Sequence, residues 1–143
     1  MNTEPSSGQS IQYQLEPQLS VVEFIDVLNR STLGERRPVA DVLRMEQMLR
    51  KADVIVTARS AGLLVGVGRA LTDFCYCTYL SDLAVDEAFQ KKGIGRAWIE
   101  QTLQAAGRST RLILIAAPKA RSYYPHIGME HHESCWMIAP NKS

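Results

Sequence analysis

A cluster of glycines and cationic side chains stands where a predicted strand passes into a predicted helix. Residues 83–89 continue an alternating apolar segment, residues 90–96 read QKKGIGR, and a helical pattern begins at Gly93. A helix N-terminus presents unpaired backbone N–H groups and a partial positive charge, and glycine lets a phosphate approach that backbone closely. The segment also carries three cationic donors, Lys91, Lys92 and Arg96. These residues predict a cradle for a phosphate or a pyrophosphate.

Two familiar phosphate-binding motifs do not fit this segment. The spacing Gly-x-x-x-x-Gly-Lys-Ser/Thr of a P-loop is absent. Gly93-Ile94-Gly95 lacks the third glycine of a dinucleotide fingerprint, and the strand before it is not the first of a βαβ unit. Taken alone, Gly-x-Gly is equally typical of an ordinary helix start beside solvated charges.

Length and composition predict one globular domain with a core of its own. The chain has 143 residues, of which 45% are hydrophobic and 22% charged. Its formal net charge of +1 argues against a general nucleic-acid binder, which usually carries a basic face. We therefore expect no nucleic-acid partner, although a local basic pocket remains compatible with this charge.

The N-terminus and the cysteines point to a reducing compartment. Residues 1–10 are polar and contain no apolar signal core, and no apolar run approaches the length of a membrane span. The three cysteines, Cys75, Cys77 and Cys135, have no zinc-knuckle spacing and are expected to be reduced and half-buried. A cytoplasmic protein without a membrane partner is the resulting expectation.

Hydrophobic periodicity predicts strands and helices in the order β, α, α, β, β, β, α, β, α, β. We expect a flexible tail at residues 1–10 and a single domain at 11–143. The predicted strands are 11–16, 53–62, 63–71, 74–86, 111–117 and 133–139, and the predicted helices are 17–32, 39–52, 93–106 and a short one within 119–128. Trp98 and Trp136 are expected in the core. Three meandering strands, a helix and a further buried strand favour an α+β fold with a mixed sheet and helices on its faces.

Two stretches of the sequence resemble one enzyme family. Gln90-x-x-Gly93-x-Gly95, following "DLAV", resembles motif A of the GNAT N-acetyltransferase superfamily, whose pattern is Gln/Arg-x-x-Gly-x-Gly/Ala. "ARSYYPHIGM" (120–129) resembles the family's helix that ends in Tyr, three residues, Gly and an apolar residue. The resemblance spans almost the whole chain. It implies a GNAT-like fold, with a central mixed, mostly antiparallel twisted sheet of six or seven strands, splayed at the cofactor cleft and flanked by about four helices.

The resemblance implies acetyl-CoA as the co-substrate. Its pantetheine arm would pair with the main chain of residues 83–85 like an added strand, and its pyrophosphate would lie on the N–H groups of residues 90–96. The N–H near Leu83 would polarise the thioester carbonyl. The residues assigned to the cofactor are Leu83, Ala84, Val85, Gln90, Lys91, Lys92, Gly93, Ile94, Gly95 and Arg96. No metal is expected, because His126, His131 and His132 lack carboxylates at metal-ligand spacing.

Tyr124 is the candidate catalytic residue. By resemblance its phenol protonates the leaving thiolate, a form of general acid catalysis, whereas the alternative is a structural tyrosine that caps the core. Tyr123 stands where relatives often have Phe and is expected to pack. The general base stays open between Asp82, Glu133 and water.

The sequence departs from the family pattern towards its C-terminus. Ala116, Ala117 and Pro118 stand where many relatives place an asparagine that helps to hold the cofactor. Few residues follow Gly128, so the last strand is either short or completed by a partner subunit, and an exposed edge favours a homodimer.

The acceptor is the least determined feature. By resemblance it binds among the first two helices, the loop "STLGERRP" (31–38) and the C-terminal strands. A small-molecule amine is the first expectation, and a protein lysine or N-terminus the second. A non-catalytic acyl-CoA-binding module is a different class of function, and a nucleic-acid or phosphopeptide binder is disfavoured by the near-neutral charge.

Overall fold

The computed structural model describes residues 10–141, so the predicted tail at residues 1–10 lies outside the described residues except for its last position. Five strands and four helices form this part of the chain. The strands are β1 (Ile11–Leu15), β2 (Val54–Ser60), β3 (Leu63–Thr72), β4 (Cys77–Val85) and β5 (Arg111–Leu114). The helices are α1 (Val21–Arg30), α2 (Val42–Arg50), α3 (Ile94–Ala106) and α4 (Tyr123–His126). Short 3₁₀ turns lie at Leu33–Arg36, Glu87–Phe89 and Pro118–Ala120.

The five strands form one sheet in the order β1-β2-β3-β4-β5. The first three pairings are antiparallel, and β4 pairs with β5 in parallel because α3 carries the chain back between them. This arrangement confirms the predicted α+β class and the mostly antiparallel mixed sheet. The helix predicted from Gly93 is confirmed as α3, and Gly107 ends it by donating its N–H to the carbonyl of Leu103.

Helices cover both faces of the sheet, because successive apolar side chains of β2 point to opposite faces. Ile55 lies in a cluster with Phe24 of α1 and Met45 of α2, whereas Val56 lies on the opposite face with Trp98 of α3. The indole of Trp98 is fully buried and donates to the carbonyl of Val56 at 2.8 Å. A glycine at position 68 of β3 makes room for that ring, since a Cβ there would lie 1.4 Å from it.

The predicted number of strands, six or seven, is wrong for the residues that the structure describes. The segment 133–139, which the sequence predicts as a last strand, forms no strand. Trp136 is 90% exposed and Ile138 fully exposed, so neither packs into the sheet. The expectation that Trp136 lies in the core is therefore also wrong, while that for Trp98 is confirmed.

The cysteines are more exposed than the sequence predicts. Cys75, Cys77 and Cys135 are all exposed free thiols. For Cys75 and Cys77 the physical reason is a turn before β4, in which the carboxylate of Asp73 accepts from the N–H groups of Cys75, Tyr76 and Cys77 at 2.8–3.0 Å. The third strand of the meander thus begins at Cys77, not at residue 74.

Between residues 10 and 141, none of the helices combines the length and the apolar character that crossing a bilayer requires.

Candidate functional site

A cleft opens where β4 and β5 separate. The two strands pair only between Cys77–Leu80 and Arg111–Leu114. Beyond Leu80, β4 runs on to Val85 whereas β5 has ended, and a cavity of about 890 Å³ fills the gap. This volume is ample for a small-molecule or cofactor site.

The main chain of β4 presents the N–H and C=O groups of Leu83 and Val85 to this gap. The N–H of Asp86 donates to the carbonyl of Val65 on β3. Because hydrogen bonding alternates along an antiparallel ladder, Ala84 also faces β3, while the N–H and C=O of Leu83 and Val85 face the opposite side. The side-chain amide of Gln90 donates to the Val85 carbonyl at 2.9 Å. An extended ligand can therefore pair with the N–H and C=O of Leu83 and the N–H of Val85, whereas the Val85 carbonyl already accepts from Gln90.

A bulge precedes this free edge. Arg69 of β3 faces Asp82, but the next residue, Ala70, faces Leu80, so Ser81 is the extra residue in β4. A bulge bends the strand that contains it and increases the local twist. The bulge at Ser81 thus lies two residues before Leu83, where the free edge of β4 begins.

The N-terminus of α3 lies at one end of the cleft. The first helical hydrogen bond joins the N–H of Ala97 to the carbonyl of Gly93, which leaves the N–H groups of residues 93–96 without a partner within the helix. Gly93 and Lys91 both have left-handed backbone, with φ of +77° and +64°. A Cβ on Gly93 would meet nothing within 4 Å, so its backbone faces open space. This geometry fits an anionic group on the helix end.

The turn that precedes α3, at Glu87–Phe89, is anchored to α1. Arg30, at the end of α1, bonds to the carboxylate of Asp86 and donates to the Leu64 carbonyl at 2.7 Å. The other oxygen of Asp86 accepts from the N–H of Ala88 at 2.9 Å and starts the 3₁₀ turn. The position of the helix end is thus fixed by contacts between elements distant in sequence.

The structure brings most, but not all, of the assigned cofactor residues to the cleft. Those that line it are Leu83, Ala84, Val85, Gln90, Lys91, Gly93, Ile94 and Gly95. Lys92 and Arg96 do not line it, and the Lys92 ammonium lies 5.3 Å from the centre of the Phe89 ring. The side chains of Ala84 and Ile94 are buried in the core, so these two residues reach the cleft mainly through their backbone.

Tyr123 and Tyr124 also line the cleft. The ring of Tyr124 packs against the cluster that contains Leu80 and Trp98, and burial raises the pKa of its phenol above the ordinary value. The two tyrosine rings meet edge to face, 5.4 Å apart at an angle of 71°. A phenol with a raised pKa stays protonated at neutral pH and can donate a proton within the cleft.

The other end of the cleft is formed by the loop between α1 and α2. Ser31 to Leu33 and Glu35 to Arg37 line it. The loop is fastened to β4, because the guanidinium of Arg37 bonds to the carboxylate of Asp82 and donates to the Ser81 carbonyl at 2.8 Å. Asp82 is fully buried, and its second oxygen accepts from Arg69.

A family model described as an acetyltransferase (GNAT) domain matches residues 32–135 of this chain. The chain belongs to the GNAT acetyltransferase family. None of the curated proteins matches it.

Solved structures show the same fold at low sequence identity. A GNAT family acetyltransferase of Streptococcus pneumoniae aligns with a TM-score of 0.77 at 20% identity, covering 94% of this chain and 100% of its own. The ribosomal-protein-alanine N-acetyltransferase of Brucella melitensis aligns with 0.71 at 22%, covering 92% and 100%. AAC(6′)-Iy, in complex with the bisubstrate analogue CoA-S-monomethyl-acetylneamine, aligns with 0.70 at 13%, covering 93% and 99%.

This GNAT domain does not offer either carboxylate considered from the sequence as a base in its cleft. Both oxygens of Asp82 are held by arginines. Glu133 is exposed and, among the residues that the structure describes, is not part of the cleft lining. His126 does line the cleft, while His131 and His132 are exposed outside it.

Several features of the GNAT site were not predicted from the sequence. The ion pairs of Asp82 with Arg37 and Arg69 join residues far apart in the chain, and nothing in the local pattern marks them. The same is true of the contact between Arg30 and Asp86. Tyr123 was expected only to pack, yet its hydroxyl lies at the first turn of α3. The Ala117-Pro118 segment, where many relatives have Asn, does line the cleft.

Proposed function

We propose that this protein is an acetyl-CoA-dependent N-acetyltransferase that moves an acetyl group to a primary amine. The observation that carries the proposal is the free edge of β4 ending at an uncapped α3 N-terminus within one cleft. An acyl-CoA has an extended amide-containing arm and a pyrophosphate, and these two parts match the edge and the helix end in that order.

The chain's own residues have separable tasks in this reaction. When bound, acetyl-CoA supplies an activated thioester. The N–H of Leu83 is the donor for the thioester carbonyl oxygen, where charge develops during attack by the amine. The backbone of residues 90–96 holds the pyrophosphate. The side chains of Lys92 and Arg96 do not contribute, because they do not line the cleft. Tyr124 donates its phenolic proton to the leaving sulfur, and the raised pKa keeps that proton in place at neutral pH.

The attacking amine must lose a proton. A lysine-like amine with a pKa of about 10.4 is neutral in only about one molecule in 2,500 at pH 7, a deficit of roughly 4.6 kcal/mol. Asp82 is held by two arginines and is not available as the base. The proton is more simply removed by water in the cleft, or the acceptor is an amine of low pKa that is already neutral.

A small-molecule amine is the acceptor we propose, with a protein lysine or N-terminus as the alternative. The 31–37 loop lines the same 890 Å³ cavity as the proposed cofactor residues, and a cavity of this volume is in the range of small-ligand sites. The two classes of acceptor also occur among the proteins of this fold, since AAC(6′)-Iy is bound to an acetylneamine analogue and the Brucella protein is named for ribosomal-protein alanine. We expect a cytoplasmic protein.

Calorimetric titration with acetyl-CoA tests the proposal, and we expect micromolar binding. The comparison ligand is 3′-dephospho-CoA, whose weaker binding would assign the 3′-phosphate to Lys119, which lines the cleft, or to Arg121. Turnover with a panel of small amines then separates an enzyme from a non-catalytic acyl-CoA-binding module. Absence of binding at millimolar acetyl-CoA contradicts the proposal.

We also propose that the protein is a homodimer whose C-terminal segment pairs with β5 of a second copy. Within residues 10–141, β5 pairs with β4 alone, and Ile113 and Ile115 are about half exposed. Trp136, Met137 and Ile138 form a second exposed apolar stretch with strand-like composition. Pairing the two stretches would bury both.

Light scattering tests this assembly, with an expected mass of about twice 16.0 kDa. Ile138→Lys should give monomers, because it places a charge in the pairing segment. Val22→Lys on α1, where Val22 is 75% exposed, is the matched control and should leave the dimer intact. A wild-type protein that is monomeric at a concentration on the order of 100 µM would contradict the proposal.

A further inference from the structure

The hydroxyl of Tyr123 lies on the first turn of α3. A Cβ added to Gly95 would be 2.6 Å from the Tyr123 hydroxyl oxygen and 3.2 Å from the ring carbon that bears it. Both residues line the cleft, as do Lys91 and Gly93 at the same helix end. Tyr123 is therefore part of the surface that the proposed pyrophosphate would meet.

Glycine at position 95 leaves room for the tyrosine hydroxyl. The backbone of Gly95 is within an ordinary helix, so no unusual φ explains a glycine there. Any side chain at position 95 would contact the Tyr123 hydroxyl at less than van der Waals distance. The second glycine of the QKKGIGR segment thus makes room for a protein hydroxyl as well as for a ligand.

The chemistry of the hydroxyl suits a phosphate. A phenol has one O–H donor and two acceptor lone pairs. Burial raises the pKa of Tyr123, and the N–H and guanidinium of Arg96 lower it only in part, so the phenol keeps its proton at neutral pH. Since Tyr123 lines the cleft, its O–H can donate to an anionic oxygen bound there.

The side chains around the helix end leave a role for such a donor. Lys92 lies over the Phe89 ring, and neither Lys92 nor Arg96 lines the cleft. Lys91 is the cationic residue of the 90–96 segment that does. A neutral O–H donor beside it would add a charge-assisted hydrogen bond to an anionic oxygen.

We propose that Tyr123 is a cofactor-binding residue, whose hydroxyl, placed at the first turn of α3, donates its proton to the pyrophosphate of CoA. The inference rests on the proposed function. It gives the two tyrosines different roles: Tyr123 binds the pyrophosphate, and Tyr124 donates a proton to the leaving sulfur.

The experiment compares CoA affinity in wild type and Tyr123→Phe by calorimetry. Loss of a hydrogen bond to a charged group should weaken CoA binding about tenfold. Acetyl-pantetheine, which lacks the pyrophosphate, should bind both proteins equally. Tyr76→Phe is the matched control, since Tyr76 is 70% exposed and does not line the cleft, and should leave both affinities unchanged.

A second variant tests the pairing with Gly95. Gly95→Ala should push the Tyr123 hydroxyl aside and weaken CoA binding, and the double variant Gly95→Ala/Tyr123→Phe should lose less affinity than the two single losses combined. Unchanged or tighter CoA binding by Tyr123→Phe, equal losses for CoA and acetyl-pantetheine, or additive losses in the double variant would each overturn the inference. Failure of wild type to bind CoA would instead contradict the proposed function.

Discussion

Tyr124→Phe should lower turnover about a hundredfold while acetyl-CoA affinity stays within twofold of wild type. The change removes only the hydroxyl, so the ring keeps its packing against the cluster around Leu80 and Trp98. The leaving sulfur then departs without a proton donor, which affects the transition state and not the binding of the co-substrate. Steady-state kinetics with excess amine and calorimetry with acetyl-CoA measure the two quantities separately.

The pH profile gives this prediction a second readout. Tyr124 acts as an acid only while protonated, and burial holds its pKa above the ordinary value of 10.0. Activity of the wild type should therefore show no alkaline loss from this group below about pH 10. Tyr76→Phe serves as the control with wild-type turnover. Turnover of Tyr124→Phe equal to wild type with several amines would remove Tyr124 from the mechanism and leave it as a structural residue.

Local sequence patterns were sufficient for the elements that build the cofactor end of the cleft. The strand predicted at 53–62 and the helix predicted at 93–106 depend on neighbours in the chain, and both are found, as β2 and α3, within two residues of the predicted bounds. The QKKGIGR segment combines local helix-end chemistry with a family pattern. For that reason most of the assigned cofactor residues line one cleft.

Patterns failed where the outcome depends on partners distant in sequence. Residues 133–139 have the composition of a strand, but a strand needs a neighbour, and the described residues supply none beside Trp136 or Ile138. Asp82 reads as a free carboxylate next to the binding strand. It is instead fully buried between two arginines, one from a loop 45 residues away and one from β3.

Asp82→Asn should lower the free energy of unfolding by about 3 kcal/mol, because it leaves two arginines without their shared negative charge. Losing the ion pair to Arg69 should cost more than losing the pair to Arg37, because the Arg69 side chain is only 9% exposed and that of Arg37 is 22% exposed. Asparagine keeps the shape of the side chain, so the loss reports charge and hydrogen bonding and not a cavity. Denaturant unfolding monitored by tryptophan fluorescence measures it, since Trp98 is fully buried.

A matched control separates this cluster from ordinary surface charge. Asp26→Asn also removes a carboxylate paired with an arginine, but Asp26 is 62% exposed and lies one helical turn from Arg30, so we expect a change within about 0.5 kcal/mol. The two variants should also differ at the acceptor loop. Arg37 fastens that loop to β4 through Asp82 and Ser81, so Asp82→Asn should speed tryptic cleavage after Arg36 while Asp26→Asn should not. Equal stability losses in the two variants would mean that the buried cluster is no stronger than a surface pair, and that the acceptor end of the cleft is held by packing alone.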